Sequence, residues 1–315
     1  MGRRKPVGRP INGWLVIDKA PGMTSTQVVT EVKRLTQAQK VGHGGTLDPL
    51  ATGVLPIAMG EATKTVAYVM DERKAYAFTL RFGEARDTDD AAGVVTATSE
   101  LRPTDEEVRA ALPGFVGLIQ QVPPQYAAVK VQGERAYDLA RRGETVELAP
   151  REIRIDELEL VGRPDADHAV FRMTCGKGAY VRAIARDLGR VLGCEAHVSA
   201  LRRTEVGGFN EGNAISLEAL ARIVEDDSLP QVLVPMTTAL AGIPALAVTE
   251  PQALRLRSGQ SVRMTPALVG DEAGEAATVR AMRAGELIAL ARLEGMELSP
   301  VRVFQHDPMP TGNRR

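Results

Sequence analysis

Asp48 lies in the segment of the chain whose residue types are best suited to chemistry. That segment runs from Gly42 to Gly53 with the sequence GHGGTLDPLATG, and Asp48 is its only carboxylate. Its four glycines allow backbone conformations that other residues avoid, and they let a ligand approach closely. Pro49 biases Asp48 towards extended geometry, so the carboxylate is held in place. Two interpretations are open at this point: Asp48 is a positioned nucleophile, or it only hydrogen-bonds its own backbone in a turn.

A lone carboxylate restricts the reactions that this segment could perform. A glycosidase of the usual kind needs two carboxyl groups around one bond, whereas a single ionised Asp can form a covalent adduct with an electrophilic carbon. Because burial raises the pKa of a carboxyl group, a nucleophilic Asp48 needs a cation nearby. Arg182, which ends the second glycine-rich segment GKGAYVR, is the candidate cation, and a solvated basic face is the alternative. For Arg186 and Arg190, on the same helical ridge, that alternative is favoured.

Two other candidate side chains have simple structural explanations. Tyr76 opens an alternating strand, where it either stacks on a flat ring or packs in the core beside Phe78, and core packing is the simpler interpretation. His43 lies between two glycines, so we expect it to be exposed. The two cysteines and four scattered histidines form no metal-binding motif, and no segment matches the phosphate-binding pattern GxxxxGK(S/T) or opens a helix with GxGxxG. The sequence therefore does not support a metal site, an ATPase or a dehydrogenase.

The elements that must position these residues include both strands and helices. Alternating or apolar runs predict three strands, at 14–17, 74–82 and 169–175. Capping-box patterns and apolar residues at helical spacing predict four helices: one after Thr24, one after Thr104, one at 180–192 and one after Ser216. Short strand-like runs beyond a domain boundary near residue 243 predict a small β-barrel or sandwich.

Composition is typical of a soluble globular protein. The chain has 315 residues, of which 44% are apolar and 25% charged, enough for two domains or for one large and one small. The sequence has no apolar run of the roughly 18 residues that cross a bilayer and no signal-peptide pattern, so we expect a cytoplasmic protein. The net charge of −1 is weak evidence against a nucleic-acid partner, since a local basic patch decides phosphate binding. Only eight of the 39 basic residues are Lys; the excess of Arg suits phosphates and base edges, or reflects coding bias.

Several of these segments resemble one known family. Residues 41–64, VGHGGTLDPLATGVLPIAMGEATK, are similar to the catalytic loop of bacterial tRNA pseudouridine-55 synthases, the TruB family. Other similar segments, within a resemblance that covers about residues 10–240, are DKAPG at 18–22, KAY at 74–76, the glycine-rich segment and helix at 176–189, and LRRT at 201–204. The resemblance implies an enzyme that detaches a T-loop uracil from ribose C1′, turns it and rejoins it through C5, with neither metal nor cofactor.

The resemblance also implies a role for individual residues. Asp48 is the nucleophile, towards either the uracil ring or C1′. Tyr76 stacks on the flipped base and takes the C5 proton, and Arg182 pairs with Asp48 and keeps it ionised. Tyr180 and Leu201 line the pocket. Lys19 and His43 support the loop and the flipped nucleotides.

The fold implied by the resemblance is α+β: a mixed, mostly antiparallel and curved sheet flanked by helices, followed by a small C-terminal β-barrel of the PUA type. We therefore expect a basic arm (1–10), a catalytic domain (11–243), a PUA-like domain (244–308) and a tail (309–315). A thumb-like insertion at 121–153 contributes four candidate phosphate contacts: Lys130, Arg135, Arg141 and Arg142.

The expected partner is the T-arm stem-loop of tRNA. We expect a monomer with no obligatory protein partner and no membrane association. Flipping a stacked uridine costs a few kcal/mol, which protein contacts must offset. Two alternatives are open: a tRNA-folding factor whose binding activity matters more than modification, and a guide-dependent synthase of the eukaryal and archaeal type, against which the insertion argues.

Overall fold

The structure, a computed structural model, describes residues 8–127, 129–131, 134–135, 139, 142, 147–265 and 277–305. Its strands, in chain order, are β1 (Gly13–Lys19), β2 (Val41–His43), β3 (Thr52–Met59), β4 (Lys74–Phe82), β5 (Glu84–Arg86), β6 (Val95–Thr98), β7 (Gly117–Gln121), β8 (Lys130–Val131), β9 (Glu134–Arg135), β10 (Arg151–Gly162), β11 (His168–Cys175), β12 (Ala196–Val206), β13 (Phe209–Asn210), β14 (Ala245–Ala247), β15 (Val262–Arg263), β16 (Ala277–Arg283), β17 (Glu286–Glu294) and β18 (Glu297–Val303). Its α-helices are α1 (Ser25–Thr36), α2 (Val66–Asp71), α3 (Asp105–Ala111), α4 (Val181–Val191), α5 (Leu217–Glu225) and α6 (Glu250–Arg257).

The central sheet contains nine strands within the described residues. Seven follow the order β1-β3-β12-β4-β11-β10-β7, with β2 beside β3 and β13 beside β12. β12 and β3 run parallel, and the other neighbouring strands are antiparallel. Register shifts within β10 and β12 mark bulges, which bend these two long strands. The predicted α+β class with a mixed, mostly antiparallel and curved sheet is confirmed.

One apolar core joins the central sheet to its helices. Along β4, alternate side chains from Phe78 to Phe82 are buried, and Phe78 stacks on Phe171 of β11 with ring centroids 5.4 Å apart. The helices α1, α4 and α5 contribute to the same core with Val28, Ile184 and Leu220. This packing fixes β4, which carries Tyr76, relative to α4, which carries Arg182.

A second sheet of five strands follows the central one in the chain. Its order is β14-β16-β17-β18-β15. Helix α6, which the sequence analysis did not predict, contributes Ala253 and Leu256 to the core of this sheet. The predicted C-terminal β structure is confirmed as a sheet, whereas its status as a separate domain, its assignment to the PUA type and the boundary at 243 stay predictions.

Some further predictions concern single features of the chain. Within the described residues, no helix combines the length and the apolar composition of a membrane span. The same residues contain no group of three His, Cys, Asp or Glu side chains arranged to hold a metal. The side chains of Lys130 and Arg135, the whole of Arg141, the predicted tail and residues 1–7 lie outside the described part, whereas Arg142 is exposed.

Candidate active site

The loop that carries Asp48 connects β2 to β3 and is anchored on both sides. The Gly44 N–H donates to the Pro56 carbonyl at 2.8 Å. Ser25, the first residue of α1, exchanges two hydrogen bonds with Leu47: its Oγ accepts from the Leu47 N–H at 2.8 Å and donates to the Leu47 carbonyl at 3.1 Å. Leu47 is buried. The carboxylate of the next residue, Asp48, therefore projects from an anchored backbone.

Asp48 faces Arg182 at the start of α4. The Oδ2 atom of Asp48 lies 2.9 Å from Nε of Arg182. The Arg182 side chain is 6% exposed, whereas 37% of the Asp48 side chain is open to solvent. The Arg182 Nη atoms donate to the Thr88 carbonyl at 3.0 Å and to the Tyr126 carbonyl at 2.9 Å. Arg182 is thus a fixed, buried cation rather than part of a solvated face, and the carboxylate paired with it is accessible to a ligand.

Asp90 is a second carboxylate at this pair, and the sequence analysis missed it. Its Oδ2 atom lies 3.6 Å from Nε of Arg182, and its side chain is 7% exposed. The Oδ1 atom accepts hydrogen bonds from Thr88 Oγ1 at 2.7 Å and from the Ala92 N–H at 3.0 Å. In the sequence Asp90 ends the polar run DTDD, which is typical of a surface turn, so no local pattern indicated a site.

Lys19 lies under the loop and contacts its backbone. Its Nζ donates to the carbonyls of Ala20 at 2.9 Å and Pro49 at 3.2 Å. Burial lowers the pKa of Lys19 to about 8, although the charge of Asp48 opposes this shift. Burial also raises the pKa of Asp48, and the positive charges of Arg182 and Lys19 oppose that rise.

His43 is half-buried, so the expectation of an exposed side chain is wrong. The reason is that the glycine-flanked segment is not an open loop here: it forms β2, in which His43 pairs with Ile57 of β3. Its Nδ1 accepts a hydrogen bond from the Gly45 N–H at 3.3 Å. Burial lowers the pKa of His43, and the charge of Arg203 lowers it further. His43 therefore contacts the start of the loop rather than the cavity beside Asp48.

A cavity of about 310 Å³ opens beside the Asp48–Arg182 pair. Its lining includes five of the seven predicted site residues, namely Asp48, Tyr76, Tyr180, Arg182 and Leu201. Burial raises the pKa of Tyr76, so its phenol is neutral near pH 7. Tyr180 is held through its backbone: its N–H donates to Gln121 Oε1 at 2.9 Å, and its carbonyl accepts from Gln121 Nε2 at 3.2 Å. The volume is within the range of small-ligand sites, and an aromatic ring forms part of the wall.

Arg203 is a further cation in the cavity wall that the sequence analysis did not single out. It pairs with Tyr76 in the register of β12 and β4 and is 2% exposed. Its Nε donates to the Val54 carbonyl at 2.9 Å, and its Nη2 to the Gly45 carbonyl at 3.1 Å. Burial lowers the pKa of Arg203, and Tyr76 opposes this. Because Gly45 and Arg203 lie 158 residues apart, spacing in the sequence gave no sign of this contact.

These groups favour nucleophilic chemistry on a flat ring. A buried guanidinium favours the ionised form of the accessible carboxylate paired with it and aims that carboxylate, as a nucleophilic Asp requires. The aromatic side chain of Tyr76 provides a surface on which a planar base can stack. Of the two interpretations of Asp48 that the sequence left open, the geometry therefore favours the positioned nucleophile.

Comparison with known proteins agrees with this chemistry. The model of the TruB family pseudouridylate synthase N-terminal domain matches residues 33–181, and that of the tRNA pseudouridylate synthase B C-terminal domain matches residues 182–241. A tRNA pseudouridine synthase B from Bradyrhizobium diazoefficiens is 56% identical, with 94% of this chain and 86% of the relative covered. The protein of the same name from Gluconacetobacter diazotrophicus is 55% identical, with 96% of this chain and 100% of the relative covered.

Solved structures show the same fold. A chain in the crystal structure of a Cbf5-Nop10-Gar1 complex has a TM-score of 0.72 at 24% identity, with 93% of this chain and 85% of that chain covered. The two family models together match residues 33–241, which include every residue of the candidate site except Lys19. The relatives cover most of the chain. The chain belongs to the TruB family of pseudouridylate synthases.

Proposed function

We propose that this chain is a tRNA pseudouridine synthase that isomerises the T-loop uridine at tRNA position 55. The proposal depends on one observation above all: the ion pair of Asp48 and Arg182 lies in a cavity whose wall includes Tyr76. The relatives named tRNA pseudouridine synthase B support the reaction class and the tRNA substrate.

The reaction rearranges bonds without changing the atoms of the nucleotide. The bond between C1′ and N1 breaks, the uracil turns, and a bond between C1′ and C5 forms, while C5 loses a proton and N1 gains one. Asp48 is the nucleophile, at either the uracil ring or C1′, and Arg182 keeps it ionised. Tyr76 stacks on the flipped base and takes part in removing the C5 proton. Tyr180 and Leu201 line the cavity. Lys19 and His43 support the loop and the flipped nucleotides.

The substrate in this proposal is the T-arm stem-loop. A uridine in a stacked loop must be flipped out at a cost of a few kcal/mol, and contacts between protein and RNA offset that cost. We propose that the insertion at 121–153 provides such contacts; in support, its residues Gln121 and Tyr126 hydrogen-bond Tyr180 and Arg182. We further propose that the enzyme acts in the cytoplasm as a monomer, without a guide RNA, a partner protein or a cofactor.

The test is a reaction of the purified full chain with an unmodified T-arm stem-loop, followed by chemical mapping of pseudouridine. We expect product at the T-loop uridine with no guide RNA and no added cofactor. Asp48→Asn should reduce product to the limit of detection and leave stem-loop binding intact, since the amide is nearly isosteric but is a poor nucleophile. The matched control is Asp226→Asn, at an exposed position after α5, which should retain full activity.

Two results would contradict the proposal. Normal product formation by Asp48→Asn would remove Asp48 from the role of nucleophile. Tight binding of the stem-loop with no product from the wild type would instead favour a tRNA-folding factor or a need for a guide RNA.

A further inference from the structure

Arg186 is buried, contrary to the solvated face that the sequence favoured for it. Its side chain is 12% exposed, whereas that of Arg190, one turn further along α4, is 64% exposed. Arg186 Nη1 lies 3.2 Å from Asp89 Oδ2, and Nη2 donates to the Val122 carbonyl at 2.8 Å. Asp187 accepts from its Nε at 2.8 Å. One side chain of α4 thus holds two separate segments, the turn at Asp89 and the start of the insertion at Val122.

Arg182, one turn earlier on α4, contacts the same two segments. It donates to the carbonyl of Thr88, which precedes Asp89, and to that of Tyr126, four residues after Val122. These two carbonyls orient the guanidinium group whose Nε faces Asp48. The position of Arg182 therefore depends on segments that Arg186 holds against the helix.

Contacts with other elements hold both segments in place. Asp89 has a φ of 59°, in the left-handed region that residues other than glycine rarely adopt. Its carbonyl accepts from the Val198 N–H at 3.0 Å, which ties the turn to β12. Segment 122–126 has the sequence VPPQY, in which two prolines provide no backbone N–H, and its Val122 and Tyr126 carbonyls accept from Arg186 and Arg182.

We propose that Arg186 is a positioning residue for the Asp48–Arg182 pair. It holds the turn 88–90 and segment 122–126 against α4, so that the two carbonyl acceptors of Arg182 stay in place and Nε stays aimed at Asp48. Arg186 itself does not touch the substrate. This inference rests on the proposed role of Asp48, and it predicts that loss of Arg186 affects the chemical step more than binding or folding.

The test compares Arg186→Gln, Arg186→Lys and the control Arg190→Gln in the full chain. Three quantities are measured: the single-turnover rate constant on the T-arm stem-loop, the dissociation constant of that stem-loop, and the melting temperature. We expect Arg186→Gln to lower the rate constant by about 10- to 100-fold, because displacements of about 1 Å have effects of that size, with little change in affinity or melting temperature. Arg186→Lys keeps the charge opposite Asp89 but loses the planar fork, so it should recover part of the rate. Arg190→Gln should match the wild type.

A second variant covers the case in which Arg186→Gln does not fold. Asp89→Asn removes the ion pair and keeps the Val122 bond, and it should also lower the rate constant without weakening stem-loop binding. The inference is overturned if Arg186→Gln keeps the wild-type rate while Asp48→Asn is inactive. It is also overturned if the rate falls only in proportion to the folded fraction, or falls equally in Arg190→Gln. Full activity of Asp48→Asn would contradict the proposed nucleophile instead, which separates the two failures.

Discussion

At the scale of single residues, competing charges and burial decide whether Asp48 is ionised. Burial raises the pKa of Asp48, and the nearby carboxylate of Asp90 raises it further. Arg182 at 2.9 Å and Lys19 under the loop oppose that rise. A nucleophilic Asp must be a carboxylate, so the two cations have a chemical as well as a structural effect.

The pH dependence of activity tests the effect of Arg182. Activity should fall on the acid side as Asp48 becomes protonated, at a pH above the usual pKa of an Asp, because burial raises that of Asp48. Arg182→Met removes an opposing charge, so the acid limb of kcat/KM should move to higher pH by about one to three pH units. Arg182→Lys keeps a positive charge and should show a smaller displacement. An acid limb at the same pH in Arg182→Met and in the wild type would contradict this assignment of charges.

At the scale of elements, local sequence patterns predicted the helices and strands that neighbouring residues determine. They missed the features that depend on contacts between residues distant in the sequence. The capping boxes at Thr24 and Thr104 are both present, and β4 alternates as predicted. β10 was missed because a bulge between Ile155 and Glu157 interrupts its alternation, and β12 because bulges and charged residues such as Arg203 do the same. Asp90 contacts Arg182 and Arg203 contacts Gly45, and both partners are far away in the sequence, so no spacing pattern reveals these contacts.

The contact between α4 and β12 makes a specific prediction about Gly189. A Cβ atom at this position would lie 2.5 Å from the Ala196 nitrogen and 2.8 Å from the Glu195 carbonyl carbon. In the interior of a solvent-exposed helix, replacement of Gly by Ala raises the free energy of unfolding by about 1 kcal/mol. Here Gly189→Ala should lower the free energy of unfolding by about 1–3 kcal/mol, because α4 must move away from the strand. Urea denaturation measures this change.

The control for this prediction is Gly114→Ala, where an added Cβ has no heavy atom within 4 Å. At this exposed position the free energy of unfolding should change by no more than about 0.5 kcal/mol. Because α4 carries Arg182 and Arg186, Gly189→Ala should also reduce activity. A Gly189→Ala protein as stable as the wild type would show that α4 is not in fixed contact with β12.

At the scale of the whole molecule, the segment GEATK joins the two sheets. Lys64 Nζ donates to the Val303 carbonyl at 2.8 Å and pairs with Glu61 at 2.6 Å. Glu61 Oε2 also accepts from the Gln305 N–H at 2.7 Å. Between these bonds Phe304 is fully buried, in an apolar cluster that includes Trp14 of β1. A segment that resembles the family's catalytic region thus connects the C-terminal sheet to the central one.

Phe304 is a fully buried aromatic side chain in the cluster that joins the two sheets. Phe304→Ala removes a buried ring from the cluster that both sheets share, so it should lower the free energy of unfolding by about 3–5 kcal/mol. Because this substitution weakens only the contact between the two sheets, the C-terminal sheet should separate before the central sheet unfolds. Calorimetry should then resolve two transitions in the variant. Val301→Ala, in β18 three residues before Phe304 but 48% exposed, should leave the transition unchanged. If Phe304→Ala melted in one transition at the wild-type temperature, the Phe304 ring would not be needed to hold the two sheets together.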